Sequence, residues 1–142
     1  MKHNIDWQGC KAKLLAKPIK PDLGKIKSIL ESAKDRETTA KMLPINETSK
    51  ETVVSLMYDV LRELLEALAI KHGYKIYNHE CYTSFLMAII KDEVFAREFD
   101  SLRMLRNSIN YYGKRISIDD AKSSISSTED LLKKTKALLK SK

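Results

Sequence analysis

The stretch Val94-Phe-Ala-Arg-Glu-Phe99-Asp-Ser-Leu102-Arg-Met-Leu105-Arg-Asn-Ser-Ile109-Asn-Tyr-Tyr112-Gly-Lys-Arg-Ile116 decides the fold class. Phe95, Phe99, Leu102, Leu105, Ile109, Tyr112 and Ile116 follow one another at steps of three or four without a miss. That period is the signature of an amphipathic helix packed on a core. Other helices are expected on either side of it. Asp22 is an N-cap for a helix striped by Leu23, Ile26, Leu30, Ala33 and Ala40, ending at Leu43-Pro44. Thr48 with Glu51 reads as a capping box opening a helix with Val54, Met57, Leu61, Leu64 and Leu68 on one line and Val53, Val60 and Leu65 beside it. So broad an apolar face belongs to the central helix of a bundle. Gly73 stops it, and Asn78 caps a short helix through Cys81, Phe85, Ala88 and Ile89. Ser117 with Asp120 opens a last helix that points Ile118, Ala121, Ile125, Leu132 and Leu139 inward.

Turn residues agree. All three prolines (Pro18, Pro21, Pro44) lie in the first third of the 142 residues, and only Gly73 and Gly113 break the last 98. A sheet protein needs more punctuation than that. The expectation is an all-α bundle of about five helices. Residues 1–21 form a basic, partly ordered leader in front of a helical domain over 22–142. Trp7, Leu14 and Leu15 are available to dock on that domain.

At 43% hydrophobic and 32% charged, the chain has enough apolar side chain for a core, which excludes global disorder. Its longest uncharged run, Cys81 to Ile90, is ten residues, about half a bilayer span. The first apolar cluster, Leu14-Leu15-Ala16, is too short and too lysine-bound for a secretory signal. A soluble cytoplasmic protein without a membrane contact is expected. The two cysteines, Cys10 and Cys81, have no CxxC or CxxxH company, so two buried or half-buried thiols are expected rather than a disulfide framework or a zinc site.

The net charge of +7 is unevenly spread. Residues 1–27 hold seven lysines against Asp6 and Asp22, residues 131–142 five lysines and no acid, and Arg103 to Arg115 form a thirteen-residue window without an acidic residue. Such patches attract phosphate-bearing or acidic partners, and they also serve solubility alone. Within that window Arg103, Arg106, Asn107, Asn110 and Lys114 share one helical face. Guanidinium and carboxamide groups beside aromatic rings suit a phosphate or a nucleotide, because arginine grips phosphate with two parallel donors. Asn107 to Gly113 is uncharged and rich in weak helix formers, and Gly113 is read as a helical glycine that permits a close backbone approach.

Arg103-Met-Leu-Arg-Asn-Ser-Ile-Asn-Tyr-Tyr-Gly113 resembles the signature helix of the HEPN superfamily, small helical proteins often encoded beside minimal nucleotidyltransferases. That signature is an arginine, commonly followed by a polar residue, then a histidine after four to six intervening residues. Arg106 and Asn107 match its start. The likeness continues through Tyr58-Asp-Val-Leu-Arg-Glu-Leu-Leu-Glu-Ala-Leu68 and Gly73-Tyr-Lys, and covers roughly residues 22–140. It implies an up-and-down helical bundle, a homodimer with signature helices facing each other, a phosphate- or RNA-binding cleft between the subunits, and a minimal nucleotidyltransferase as partner in a toxin–antitoxin-type pair. In catalytic members the arginine and histidine cleave RNA without metal.

This chain departs from the signature where the histidine belongs: Tyr111, Tyr112 and Gly113 stand there. A phenol near pKa 10 is a poor base at neutral pH. Tyr112 falls on the apolar stripe and is expected in the core, whereas Tyr111 flanks the polar face and is placed to stack on a base. His79 is the histidine best placed to approach, from the preceding loop; His72 and His3 are weaker candidates. The expected phosphate- or nucleotide-binding set is therefore Arg103, Arg106, Asn107, Asn110, Tyr111 and Lys114, with Arg106, Tyr111 and His79 as the catalytic candidates. A non-catalytic binding module is the leading expectation, a metal-independent endoribonuclease the alternative, and a basic helical adaptor the third. No cofactor is called for: GxxxxGK[ST], GxGxxG and HExxH are all absent. Asp92-Glu93 and Asp119-Asp120 read as caps, and Glu63 with Glu66 as a solvent edge.

Overall fold

A computed structural model describes residues 5–141; His3 lies outside them. The chain runs α1 (Trp7–Ala12), β1 (Ala16–Pro18), α2 (Leu23–Met42), α3 (Lys50–Lys71), β2 (Tyr74–Ile76), α4 (His79–Phe85), a π turn (Leu86–Ile90), α5 (Glu93–Tyr112) and α6 (Ile118–Lys140). The fold is all-α, with one two-stranded ribbon as its only sheet among the described residues. α3 is the central helix: Val53, Val54, Met57, Val60, Leu61, Leu64, Leu65 and Leu68 are all buried in it. α2 and α6 flank it, and α5 lies across α3, α4 and α6. No helix of the described residues is long and apolar enough to cross a membrane.

Most expected caps form. Asp22, Asn78, Asp92 and Ser117 each accept a hydrogen bond from a first-turn N–H of the following helix. α3 is the exception. Its N-cap is Ser49, not Thr48, and Asn46 Oδ1 instead accepts the N–H groups of Thr48 and Ser49. Glu51 is thereby released from a capping box to reach the α5–α6 connection, where it accepts the Ile116 N–H at 2.9 Å and pairs with Arg115 at 3.2 Å.

Several expectations are corrected by tertiary structure. Among the described residues six α-helices stand where about five were expected, the additional one being α1 in the leader. α5 ends at Tyr112 rather than running to Ile116, and Tyr112 is 83% exposed rather than core. Gly113 is no close-approach glycine inside the helix. It is the left-handed C-cap (φ +66°), and a Cβ there would meet nothing within 4 Å. Glu63 is not a solvent edge but lies buried under α2, beside Arg36 (3.3 Å) and Ser32 (3.4 Å).

The largest correction concerns the cysteines. Cys10 and Cys81 are fully buried and joined in a disulfide. Their separation of 71 residues says nothing of distance, because the leader folds back on itself. Gly73, in the left-handed region at φ +84°, ends α3 and turns the chain into β2. β2 pairs antiparallel with β1, Lys17 opposite Lys75. Trp7 then packs edge-on against Tyr74 and beside Phe85, at centroid distances of 5.0 and 5.9 Å. The leader is in effect a strap over the segment that carries His79.

Candidate phosphate-binding groove

Arg103, Arg106, Asn107 and Tyr111 on α5 meet Asn78, His79 and Glu80 at the start of α4 across an open groove of about 290 Å³. Each side chain is braced from below. Asp100, one turn before Arg103 and wholly buried, accepts Arg103 Nε and Thr83 Oγ1, both at 2.9 Å on one oxygen. Arg106 reaches Asp59 of α3 at 3.3 Å through Nη2 and the Tyr111 hydroxyl at 3.4 Å through Nη1. Its guanidinium also lies 5.5 Å from the Tyr58 ring and 5.9 Å from the Tyr111 ring. Asn78 caps α4, which fixes the residue after it, His79, at the groove wall.

His79 Nδ1 lies 3.3 Å from the Tyr58 hydroxyl. The tautomer decides which donates, so Nε2 is the nitrogen left for the groove. Burial, together with the guanidinium groups of Arg62, Arg106 and Arg103, pushes the His79 imidazole down to about 4. Burial likewise raises the Tyr58 phenol above its ordinary range, against the pull of the same arginines. At neutral pH the pair is uncharged inside a ring of three cations. Arg62 pairs with Glu66 at 3.2 Å, so each arginine has one carboxylate partner. Those partners hold the guanidinium planes without using all their donors. Arg106 Nε, buried, has no hydrogen-bond partner, and neither has Asp100 Oδ2.

No protein-family model matches the chain, and no curated protein matches it in sequence.

Of the expected binding residues, Arg103, Arg106, Asn107 and Tyr111 come together, and His79 joins them from α4. Two do not. Asn110 lies one turn beyond the reach of α4, where its neighbour is α3, and Ser55 donates to its carbonyl at 3.1 Å in a separate cleft with Glu51 and Ile109. Lys114 follows the Gly113 cap, outside the helix and exposed. Sequence reading missed Tyr58, Asp59 and Arg62, although their spacing puts Tyr58 and Arg62 on one side of α3. It also missed the bracing pair Thr83 and Asp100, for which no sequence signal exists. Among the described residues no group of three or more His, Cys, Asp or Glu side chains is gathered to hold a metal ion.

Proposed function

We propose that this protein is a HEPN-like module that holds a phosphate of a nucleotide or RNA strand in the α4–α5 groove, without cleaving it. The supporting observation is the convergence of Arg103 and Arg106 with a neutral histidine whose surroundings are cationic. An anion entering there meets donors already held in place, so little side-chain entropy is lost on binding. Tyr111, 69% exposed at the groove mouth and hydrogen-bonded to Arg106, offers a face for a base.

In this reading the protein is a homodimer, paired through α5, and partners a minimal nucleotidyltransferase. Met104, Tyr111 and Tyr112 stand exposed on that helix, which supports the pairing. The test is calorimetric titration with a nucleoside monophosphate and with the matching nucleoside. Phosphate-dependent binding that disappears in Arg106→Ala supports the reading; equal binding by the variant sinks it.

A second reading, metal-independent ribonuclease, draws on one observation: His79 shares the groove with Arg106 and Tyr111. A base at about 4 is mostly unprotonated at pH 7 but weak, which is why binding is preferred over cleavage. Cleavage of labelled RNA in chelator that vanishes in both Arg106→Ala and His79→Ala would reverse that preference. The adaptor reading draws on the carboxylate partner of each arginine. It expects Arg106→Ala to lower stability and to change no binding.

A further inference from the structure

Lys17 and Lys75 stand directly opposite each other on the β1–β2 ribbon. Like charges in that position repel and ordinarily weaken the pair. Neither lysine has a carboxylate within ion-pair distance among the described residues, and no acidic residue occurs from Cys10 to Pro21 or from Ala67 to His79. Both ammonium groups instead sit over one ring, Tyr77, at 5.6 and 5.3 Å from its centroid. Strand alternation explains why the three share a face. Ala16 and Ile76 turn into the core, so Lys17, Lys75 and Tyr77 turn out, and Tyr77 is 53% exposed. The chain keeps an uncompensated cation pair around an exposed aromatic ring, and the next residue, Asn78, lines the phosphate groove.

We propose that this outer ribbon face is a second contact surface for single-stranded RNA, continuous with the α4–α5 groove. The proposal rests on the RNA-binding reading above and extends it from one phosphate to a strand. Lys17 and Lys75 take backbone phosphates, and a base stacks on Tyr77. Alternating cations and an aromatic platform bind single strands with little regard to sequence. Charge complementarity selects a polyanion, and the exposed ring beside the lysines selects one with stackable bases.

The experiment is fluorescence anisotropy with a uridine dinucleotide and a uridine decanucleotide, titrated at several salt concentrations. The proteins are wild type, Lys17→Ala/Lys75→Ala, Lys17→Gln/Lys75→Gln, Tyr77→Ala and Arg106→Ala, each first shown to melt like wild type or, for Arg106→Ala, to be folded at the assay temperature. Wild type is expected to bind the decamer more tightly than the dimer. Both double-lysine variants keep dimer affinity, lose roughly tenfold or more for the decamer, and flatten its salt slope by about 1.4, two phosphate contacts at about 0.7 each. Tyr77→Ala weakens the decamer about tenfold without changing the slope. Double-lysine variants that bind the decamer like wild type overturn the proposal while leaving the groove intact. So does displacement of the decamer by polyglutamate as readily as by polyuridylate, which would mark an acidic protein surface. Decamer binding that survives Arg106→Ala but not the lysine changes supports the ribbon and counts against the groove. Failure of wild type to bind either oligonucleotide overturns both.

Discussion

Removing the Arg106 guanidinium strips an ion pair with Asp59, a hydrogen bond with Tyr111 and the stacking over Tyr58 in one step. With the Arg106 side chain only 16% exposed, Arg106→Ala is expected to cost about 1–2 kcal/mol of stability, measured by urea denaturation. It is also expected to cost tenfold or more in affinity for a nucleoside monophosphate. His79 carries a pH signature. Its folded-state value, about 4, lies below the ordinary 6.5, so between those values the unfolded chain binds a proton that the native state refuses. Stability is full above pH 6.5 and falls as pH drops from 6.5 to 4, by an amount on the order of 2 kcal/mol. Denaturation at pH 7 and pH 5 tests this, and His79→Gln should flatten the difference. Bound phosphate should raise the imidazole value, which its NMR titration would show directly. Arg106 and its polar stripe were legible in the sequence, because helical spacing depends only on local geometry. The place of His79 was not, because it depends on where α4 lands.

At the scale of elements, α5 is an amphipathic helix with a sharp stop. Phe95, Phe99 and Leu102 are buried, Leu105 and Ile109 half-buried, and the chain leaves the helix at Gly113. Because a Cβ at Gly113 meets nothing, Gly113→Ala tests backbone conformation alone. It should lower stability by about 1 kcal/mol in thermal unfolding and leave ligand affinity unchanged. The connection beyond it is tied down by Glu51, whose carboxyl is held at about 2 by the Ile116 N–H and Arg115. Glu51→Gln should therefore loosen residues 113–117, seen as faster amide exchange there. Apolar periodicity made α2, α3, α5 and α6 readable from the chain. The end of α5 was misjudged because Tyr112 and Ile116 continue the period past a glycine that terminates it. The Thr48–Glu51 capping box fails because Asn46 Oδ1 already accepts the Thr48 N–H that the Glu51 carboxylate would have taken.

For the molecule as a whole, the Cys10–Cys81 bond closes a loop across a sequence separation of 71 and pins α1 to α4. Closing 71 residues restricts the unfolded chain by an entropy worth about 4 kcal/mol. Denaturation with and without reductant should show a loss of that order, and Cys10→Ala/Cys81→Ala should match the reduced protein. A change of less than 1 kcal/mol would mean that the β1–β2 pairing and Trp7 hold the strap by themselves. Because Cys81 follows the groove residues Asn78, His79 and Glu80, reduction should also broaden their NMR signals before those of α6.

The helical class, the central place of α3, four of the helix caps and the cationic face of α5 are all written in the chain itself. These follow from period, cap chemistry and residue type, which act over a few residues at a time. Tertiary structure alone decided that Cys10 meets Cys81, that Glu63 is buried, that Tyr112 faces solvent, and that His79 rather than Asn110 or Lys114 completes the groove. Each of these is a meeting or a parting of segments, and it depends on how a two-stranded ribbon and a π turn direct the chain. Patterns of local hydrophobicity carry no record of that path.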